Sequence, residues 1–417
     1  MLSVGRKLKT ESPVNEVHML ALLLAASIST NFEGGSLGQV EVLSPTHLRC
    51  SVKGEVDQDH RNREASWYYF RLDSAAGRQV IIDLVNLQGE YDYRPAPLDI
   101  NQHTRPVYSY DRKKWKHFSD REVEWDDKAI SLRLCFTPQR PRMWIAHMAP
   151  YTTQDLARLL TAVGGSPYLR KEVVGKTVNG REMLLLTITN PATPEAGKRV
   201  VWLMFRQHSW ETGTSWVCEG ALRYLLSLDP QAARIRDQMI IRIFPMCDPD
   251  GVARGGERFN AYGYDLNRNW DTADAKLMPE IFAQYRAILG WVDAGNRIDL
   301  FLTVHNTSED FIEGPLSEGG PTLRQLGERF AGLLSDRTSF YSASGPRDSL
   351  PAGRLIAKGR MTVDQWLFRE HKIPAFLLEL GTEYNPRLKR LRTVEDWHDF
   401  GRTLVEILGE LQEVTDD

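Results

Sequence analysis

Two rhythms of apolar and polar positions divide the chain. From about residue 30 to 150, short alternating or aromatic-rich stretches at 40–42, 67–72, 80–87, 123–125, 130–136 and 144–148 are separated by turn residues. No helix-length period interrupts them, which predicts an all-β sandwich. After Tyr151 the pattern changes. Residues 155–162 read as a helix, and 172–189 as a hairpin whose Asn179-Gly180 pair favours a primed turn. Unbroken apolar runs at 199–205, 239–244, 298–304 and 373–378 then alternate with stretches of helical period at 215–227, 279–293, 322–334 and 394–413. Runs apolar at every position are strands buried on both faces. Their alternation with helices predicts an α/β unit, a mostly parallel mixed sheet flanked by helices. The expected division is therefore a leader at 1–29, a β-sandwich at 30–150 and a catalytic unit at 151–417.

What those runs end on matters more than the runs themselves. Residues 199–205 lead into His208 and Glu211, 298–304 into His305, 373–378 into Glu379, and 239–244 into Cys247-Asp248-Pro249-Asp250-Gly251. In open α/β sheets ligands bind beyond the carboxyl ends of the strands. His208, Glu211, His305 and Glu379 are thus expected in one crevice. Two imidazoles and one carboxylate form a ligand set that leaves a fourth position open, the mark of a catalytic zinc site. One Zn2+ per chain is the cofactor expected.

The bulk numbers exclude more than they propose. A length of 417 residues with 42% hydrophobic positions supports two or three cored units. A formal charge of -3 gives no basic field to hold nucleic acid. Cys50, Cys135, Cys218 and Cys247 form no CxxC pair, so a thiolate zinc ribbon or dithiol redox motif is not expected, and whether Cys50 pairs with Cys135 stays open. The apolar stretch 19–29 is too short for stable membrane insertion. It has the length of a signal-peptide core, implying a periplasmic or secreted protein, or it leads into the first strand of a cytoplasmic one. No GxSxG elbow or phosphate-binding glycine loop is present.

Several motifs in order resemble the metallocarboxypeptidases, in particular their cytosolic-carboxypeptidase branch. Arg206-Gln207-His208-Ser209-Trp210-Glu211-Thr212 resembles the zinc-ligand motif, and Asp248-Pro249-Asp250-Gly251-Val252 a family turn with Asp in place of its first Asn. Asp265-Leu266-Asn267-Arg268-Asn269-Trp270, Arg258 and Phe376-Leu377-Leu378-Glu379-Leu380-Gly381 match three further segments, and 144–156 is similar to the junction after that branch's amino-terminal sandwich. The resemblance implies His208, Glu211 and His305 as metal ligands and Glu379 as the base that activates water and then protonates the leaving amine. It implies Arg258 as the guanidinium beside the developing oxyanion. Arg268, with its planar fork of donors, and Asn267 would grip the terminal carboxylate of a peptide or protein substrate.

Three departures set expectations of their own. Ser209-Trp210, where the family has small residues, puts a large ring beside the metal. His305 lacks the family's Asp two residues earlier, which leaves its support open. The loop at 351–362 lacks the family's mobile Tyr but carries Arg354, Lys358 and Arg360, which would favour an acidic terminal residue such as Glu or are merely solvated. The alternatives to a carboxypeptidase are a zinc amidase acting on peptidoglycan stem peptides and a non-catalytic peptide- or glycan-binding protein. His147, inside an apolar strand, reads as a hydrogen-bonded core residue.

Overall fold

The computed structural model describes residues 25–351 and 353–411. The leader expected at 1–29 lies mostly outside them, but Ser27–Ser29 is already a strand and Ala26 is buried in the sandwich core, so the ordered β-rich part starts before residue 30. Two five-stranded sheets face each other there. One runs Ser27–Ser29, Tyr69–Asp73, Arg142–Ala146, Val107–Ser109 and Lys116–His117; the other Val123–Asp126, Ser131–Phe136, Val80–Val85, His47–Ser51 and Val40–Ser44. Strict in-out alternation, as in Ser131–Phe136 where Leu132, Leu134 and Phe136 are buried, fills the space between them. Cys50 and Cys135 are both free thiols. A third, small sheet of Glu55–Val56, Arg63–Glu64, Glu90–Tyr91 and Arg94–Pro95 projects from the sandwich.

The second unit is one eight-stranded sheet. Its strands are β1 (Leu169–Lys176), β2 (Glu182–Ile188), β3 (Arg199–Phe205), β4 (Met239–Phe244), β5 (Leu300–Thr307), β6 (Phe311–Gly314), β7 (Arg347–Asp348) and β8 (Ala375–Gly381), in the order β1-β2-β4-β3-β5-β8-β6-β7. The four central strands β4, β3, β5 and β8 are mutually parallel. Antiparallel pairs join β1 to β2, β2 to β4 and β6 to β8. The central strands are the four apolar runs, and β4 is buried at all six positions. The β1–β2 turn is not primed: only Gly180 has a positive φ (79°), while the Thr177 and Arg181 backbones pair across it. Tertiary bonds select this form, because Val178 N–H donates to Glu280 (3.0 Å) and Asn179 N–H to Asp250 (2.8 Å).

Helices cover both faces: α1 (Thr153–Val163), α2 (Thr212–Leu225), α3 (Pro230–Gln238), α4 (Pro249–Arg254), α5 (Pro279–Asp293), α6 (Leu316–Arg337), α7 (Val363–His371) and α8 (Val394–Glu410). Capping boxes start three of them, at Thr152/Asp155, Thr362/Gln365 and Thr393/Asp396. Helices α2 and α8 touch backbone to backbone. A Cβ on Gly220 would lie 2.2 Å from the His398 carbonyl oxygen and one on Gly401 1.9 Å from that of Val217, so both positions require glycine. The two units share an apolar core in which Trp67, Tyr69, Val107 and Met148 pack with Val217, Leu222 and Phe400. No described helix is long and apolar enough to cross a membrane.

Candidate active site

Strand β3 ends in a sharp turn, with Arg206 held at φ 59°. The fully buried Arg206 guanidinium braces that turn: Nε and Nη2 donate to the Ser209 carbonyl (2.9 and 2.7 Å) and Nη1 to Ser215 Oγ (2.8 Å). Burial lowers its pKa to about 10 against the opposing pull of Glu211 and Asp248. Glu211 occupies the N-cap of α2 but makes no capping bond, because its carboxylate turns back to the site. Asn306, next to His305, fastens the same corner by accepting from Thr214 N–H (3.2 Å) and donating to the Leu380 carbonyl (2.9 Å).

His208, Glu211 and His305 are all buried, and one ligand atom from each lies within 4.8 Å of the others. Both imidazoles present Nδ1 to Glu211, His208 at 2.6 Å from Oε1 and His305 at 3.0 Å from Oε2. The second approach lacks hydrogen-bond geometry, so Glu211 Oε2 is a buried oxygen with no hydrogen-bond partner. Each Nε2 has an acceptor of its own: Asp265 Oδ1 for His208 (3.1 Å) and Gln207 Oε1 for His305 (2.9 Å). His208 Nδ1 shares a proton with Glu211 here; with Nε2–H committed outward, a cation replacing that proton would meet the Nδ1 lone pairs of both rings. Two imine nitrogens and an ionised carboxylate around an unsatisfied oxygen fit a divalent cation such as zinc. Without an ion, protons fill that role: burial and Arg258 oppose a charge on His208, but Glu211 and Asp265 raise its pKa to about 9, and burial would raise the Glu211 pKa, but the imidazoles when protonated bring it down to about 2.

Glu379 sits directly across from His305 in the β5–β8 register, as the strand pattern predicts. Its Oε2 is buried without a hydrogen-bond partner, and burial together with the Glu211 charge pushes its pKa well above the carboxylate range. Arg258 Nε donates to Asp265 Oδ2 (2.8 Å), which puts one carboxylate between the His208 ring and the Arg258 guanidinium. Burial opposes the Arg258 charge, but Asp265, Glu64 and Glu211 outweigh it and raise its pKa. Asn267 is buried, its Oδ1 accepting from Val363 N–H (3.2 Å), and Arg268 Nη1 donates to the Asn267 carbonyl (2.7 Å). No described carboxylate forms an ion pair with Arg268. Asp271 is instead used by the N–H groups of Gly359 (2.8 Å) and Met361 (3.3 Å).

Two expectations change. Trp210 does not lie over the ligands: its ring stacks on His147 of the sandwich, centroids 5.9 Å apart, because the interdomain core offers it burial. Support for His305 is present after all, since Gln207 and Thr303 Oγ1 (3.0 Å) flank its Nε2 and Thr303 also donates to Gln207 (2.7 Å). Gln207 and Asp265 are the residues that reading the sequence undervalued. A rule that every ligating histidine needs an outer acceptor directs attention to them. His147 is a core residue as expected, bonded to the Ser66 carbonyl (2.6 Å), with a pKa lowered to about 4 by burial.

Known proteins resemble this chain over both units. The model of the peptidase M14 family, zinc carboxypeptidase, matches residues 165–392, and that of the cytosolic carboxypeptidase N-terminal domain matches 28–148. Cytosolic carboxypeptidase 6 of Mus musculus is 27% identical over 77% of this chain; the chain spans 62% of that relative's length. An uncharacterised protein of Zymomonas mobilis is 29% identical, over 93% of this chain and 97% of its own. Among solved structures, a metallo-carboxypeptidase from Burkholderia cenocepacia superposes with a TM-score of 0.79 at 25% identity, over 92% of this chain and 98% of its own. One from Pseudomonas aeruginosa shares the fold, with a TM-score of 0.76 at 22% identity, over 92% and 98%.

Proposed function

The chain belongs to the zinc carboxypeptidase family, and from that membership and the site's geometry we propose that it removes the carboxy-terminal amino acid from peptides or proteins. One observation carries the reading: two Nδ1 atoms and the Glu211 carboxylate converge on one point, with the unpartnered Oε2 of Glu379 beside it. His208, Glu211 and His305 would hold one Zn2+. When bound, that ion supplies Lewis acidity, which polarises a carbonyl and lowers the pKa of water to about 7.

The chain's own residues do the rest. Glu379, its Oε2 unpartnered, would take the proton of the attacking water in its ionised form, which a bound cation favours, and return it to the leaving amine. Arg258, its charge secured by Asp265, stabilises the oxygen that turns anionic in the transition state. Arg268, which pairs with no described carboxylate, grips the terminal carboxylate through its fork. Asn267 contributes its amide N–H2, its Oδ1 being used by Val363. Of the three basic residues expected at the pocket for the terminal side chain, Arg354 is the one whose charge acts on a residue of the sheet, Glu313 on β6. Arg360 is engaged by Tyr91 Oη (2.8 Å) and Lys358 is exposed. Arg354 therefore supports a preference for Glu ends.

Metal analysis with activity assays tests the reading. About one zinc per chain is expected, lost together with release of terminal amino acids in His208→Ala. In competition among peptides ending in Glu, Lys and Phe, Glu should lead. Preference for Phe would sink the acidic pocket, and release of internal fragments would sink the carboxypeptidase.

A further inference from the structure

Residues 257–259, which carry Arg258, lie outside the helices and sheets apart from a single bridge of Phe259 to Asp265, and their three backbone N–H groups share one acceptor from the other unit. Glu55 Oε2, on the small sheet projecting from the sandwich, accepts from Glu257 N–H (3.0 Å), Arg258 N–H (2.7 Å) and Phe259 N–H (2.8 Å). Its Oε1 accepts from the Arg254 guanidinium. A carboxylate cradled by successive backbone donors fixes the path of a loop as an anion in a nest does. The same loop is held at a second point, where the Glu257 carboxyl accepts from Ser66 N–H (2.5 Å) of the sandwich and the Glu257 carbonyl from Trp210 N–H (3.0 Å), beside Glu211. Asp99 and Glu64, a further carboxyl pair of the sandwich, face the Arg258 charge.

We propose that Glu55 is a positioning residue for the oxyanion-stabilising Arg258, which makes the amino-terminal unit a working part of the active site as well as its neighbour. The inference rests on the role proposed above for Arg258. Its physical basis is the division of labour at that residue. Asp265 orients the guanidinium, and Glu55 holds the Arg258 backbone N–H itself. Upstream, Gly256 N–H is tied to the Gly251 carbonyl (2.8 Å), and downstream Phe259 bridges Asp265, so Glu55 acts on the stretch between those two anchors. Without the acceptor, three N–H groups would turn to water and the loop would shift with them. A misplacement of about 1 Å at a reacting centre can cost about a hundredfold in rate. Arg258 acts on charge that appears only in the transition state, so the loss should fall on kcat.

A double-mutant cycle on the full-length, zinc-loaded protein tests this, with kcat, KM and zinc content measured for each variant. Glu55→Ala should lower kcat about 10- to 100-fold with KM and zinc content unchanged. Glu55→Gln, which keeps an amide oxygen for the three donors, should lose less. In an Arg258→Ala background, Glu55→Ala should cost nothing further. Additive losses, a loss explained by KM or zinc content, or an unchanged kcat in Glu55→Ala would each overturn the proposal. If Glu55→Ala does not fold, Glu55→Gln completes the same cycle. An Arg258→Ala variant with undiminished kcat would remove the premise itself, whereas a slow Arg258→Ala beside a fast Glu55→Ala would remove this inference alone.

Discussion

The two ends of the cleft are built differently. At the metal end, His305 and Glu379 lie on adjacent strands of the sheet, and His208 and Glu211 follow the end of a third. Behind them stand Arg206, Gln207, Asp265 and Asn306, each hydrogen-bonded to a named partner. At the other end, the loop at 353–362 holds Arg354 and Lys358 in solvent and is zipped to the turn after Arg268 by two backbone bonds and the Asp271 carboxylate. Groups that break bonds must be placed before the substrate arrives, and buried strands can do that. Groups that choose among side chains can sit on loops, where solvent screens their charge and each one counts for little.

That contrast orders the consequences of substitution. The largest belongs to Glu379→Gln, which keeps the shape but cannot accept a proton. Turnover should fall about 10²- to 10⁴-fold while metal analysis still finds about one zinc per chain, and retained activity would refute the assigned role. Next comes the support of the ligands. Gln207→Ala strips the His305 Nε2–H of one acceptor and leaves Thr303 Oγ1 at 3.0 Å. Zinc affinity, measured by competition with a chelator, should weaken about 10- to 100-fold. Unchanged affinity would mean that Thr303 alone orients the ring.

The same contrast explains what could be read from the sequence. The apolar runs marked β3, β4, β5 and β8, and their terminal residues marked the ligands, because a strand buried on both faces writes an unmistakable pattern. Helix α3 and helix α4 are short, and both begin at a proline that reads equally as a turn. Helix α7 follows a charged loop and has only nine residues. Strands β6 and β7 are four and two residues long, too brief for an alternating period to show. Glu55 was invisible for another reason: its three N–H partners lie about two hundred positions away, and no local pattern encodes such a contact.

The smallest effect tests the solvent-facing end. Arg354→Ala should reduce the preference for Glu over Phe ends only about two- to fivefold, the scale of one exposed ion pair of roughly 0.2–1 kcal/mol, and Lys358→Ala should leave it unchanged. Glu313 should modulate the same proposed preference. Its side chain stands on β6, two residues from Phe311, which pairs with Glu379. Burial, then the nearby Asp364, push its pKa up to about 7, against Arg268, Arg347 and Arg354. Below that pH Glu313 is neutral and tolerates an acidic terminal side chain. As pH rises past about 7 it ionises, and its charge opposes that side chain, so the ratio of Glu to Phe cleavage should fall. Glu313→Gln should flatten this dependence, because the amide cannot ionise. A ratio independent of pH in the unsubstituted protein would place Glu313 outside the selectivity pocket and leave Arg354 to act alone.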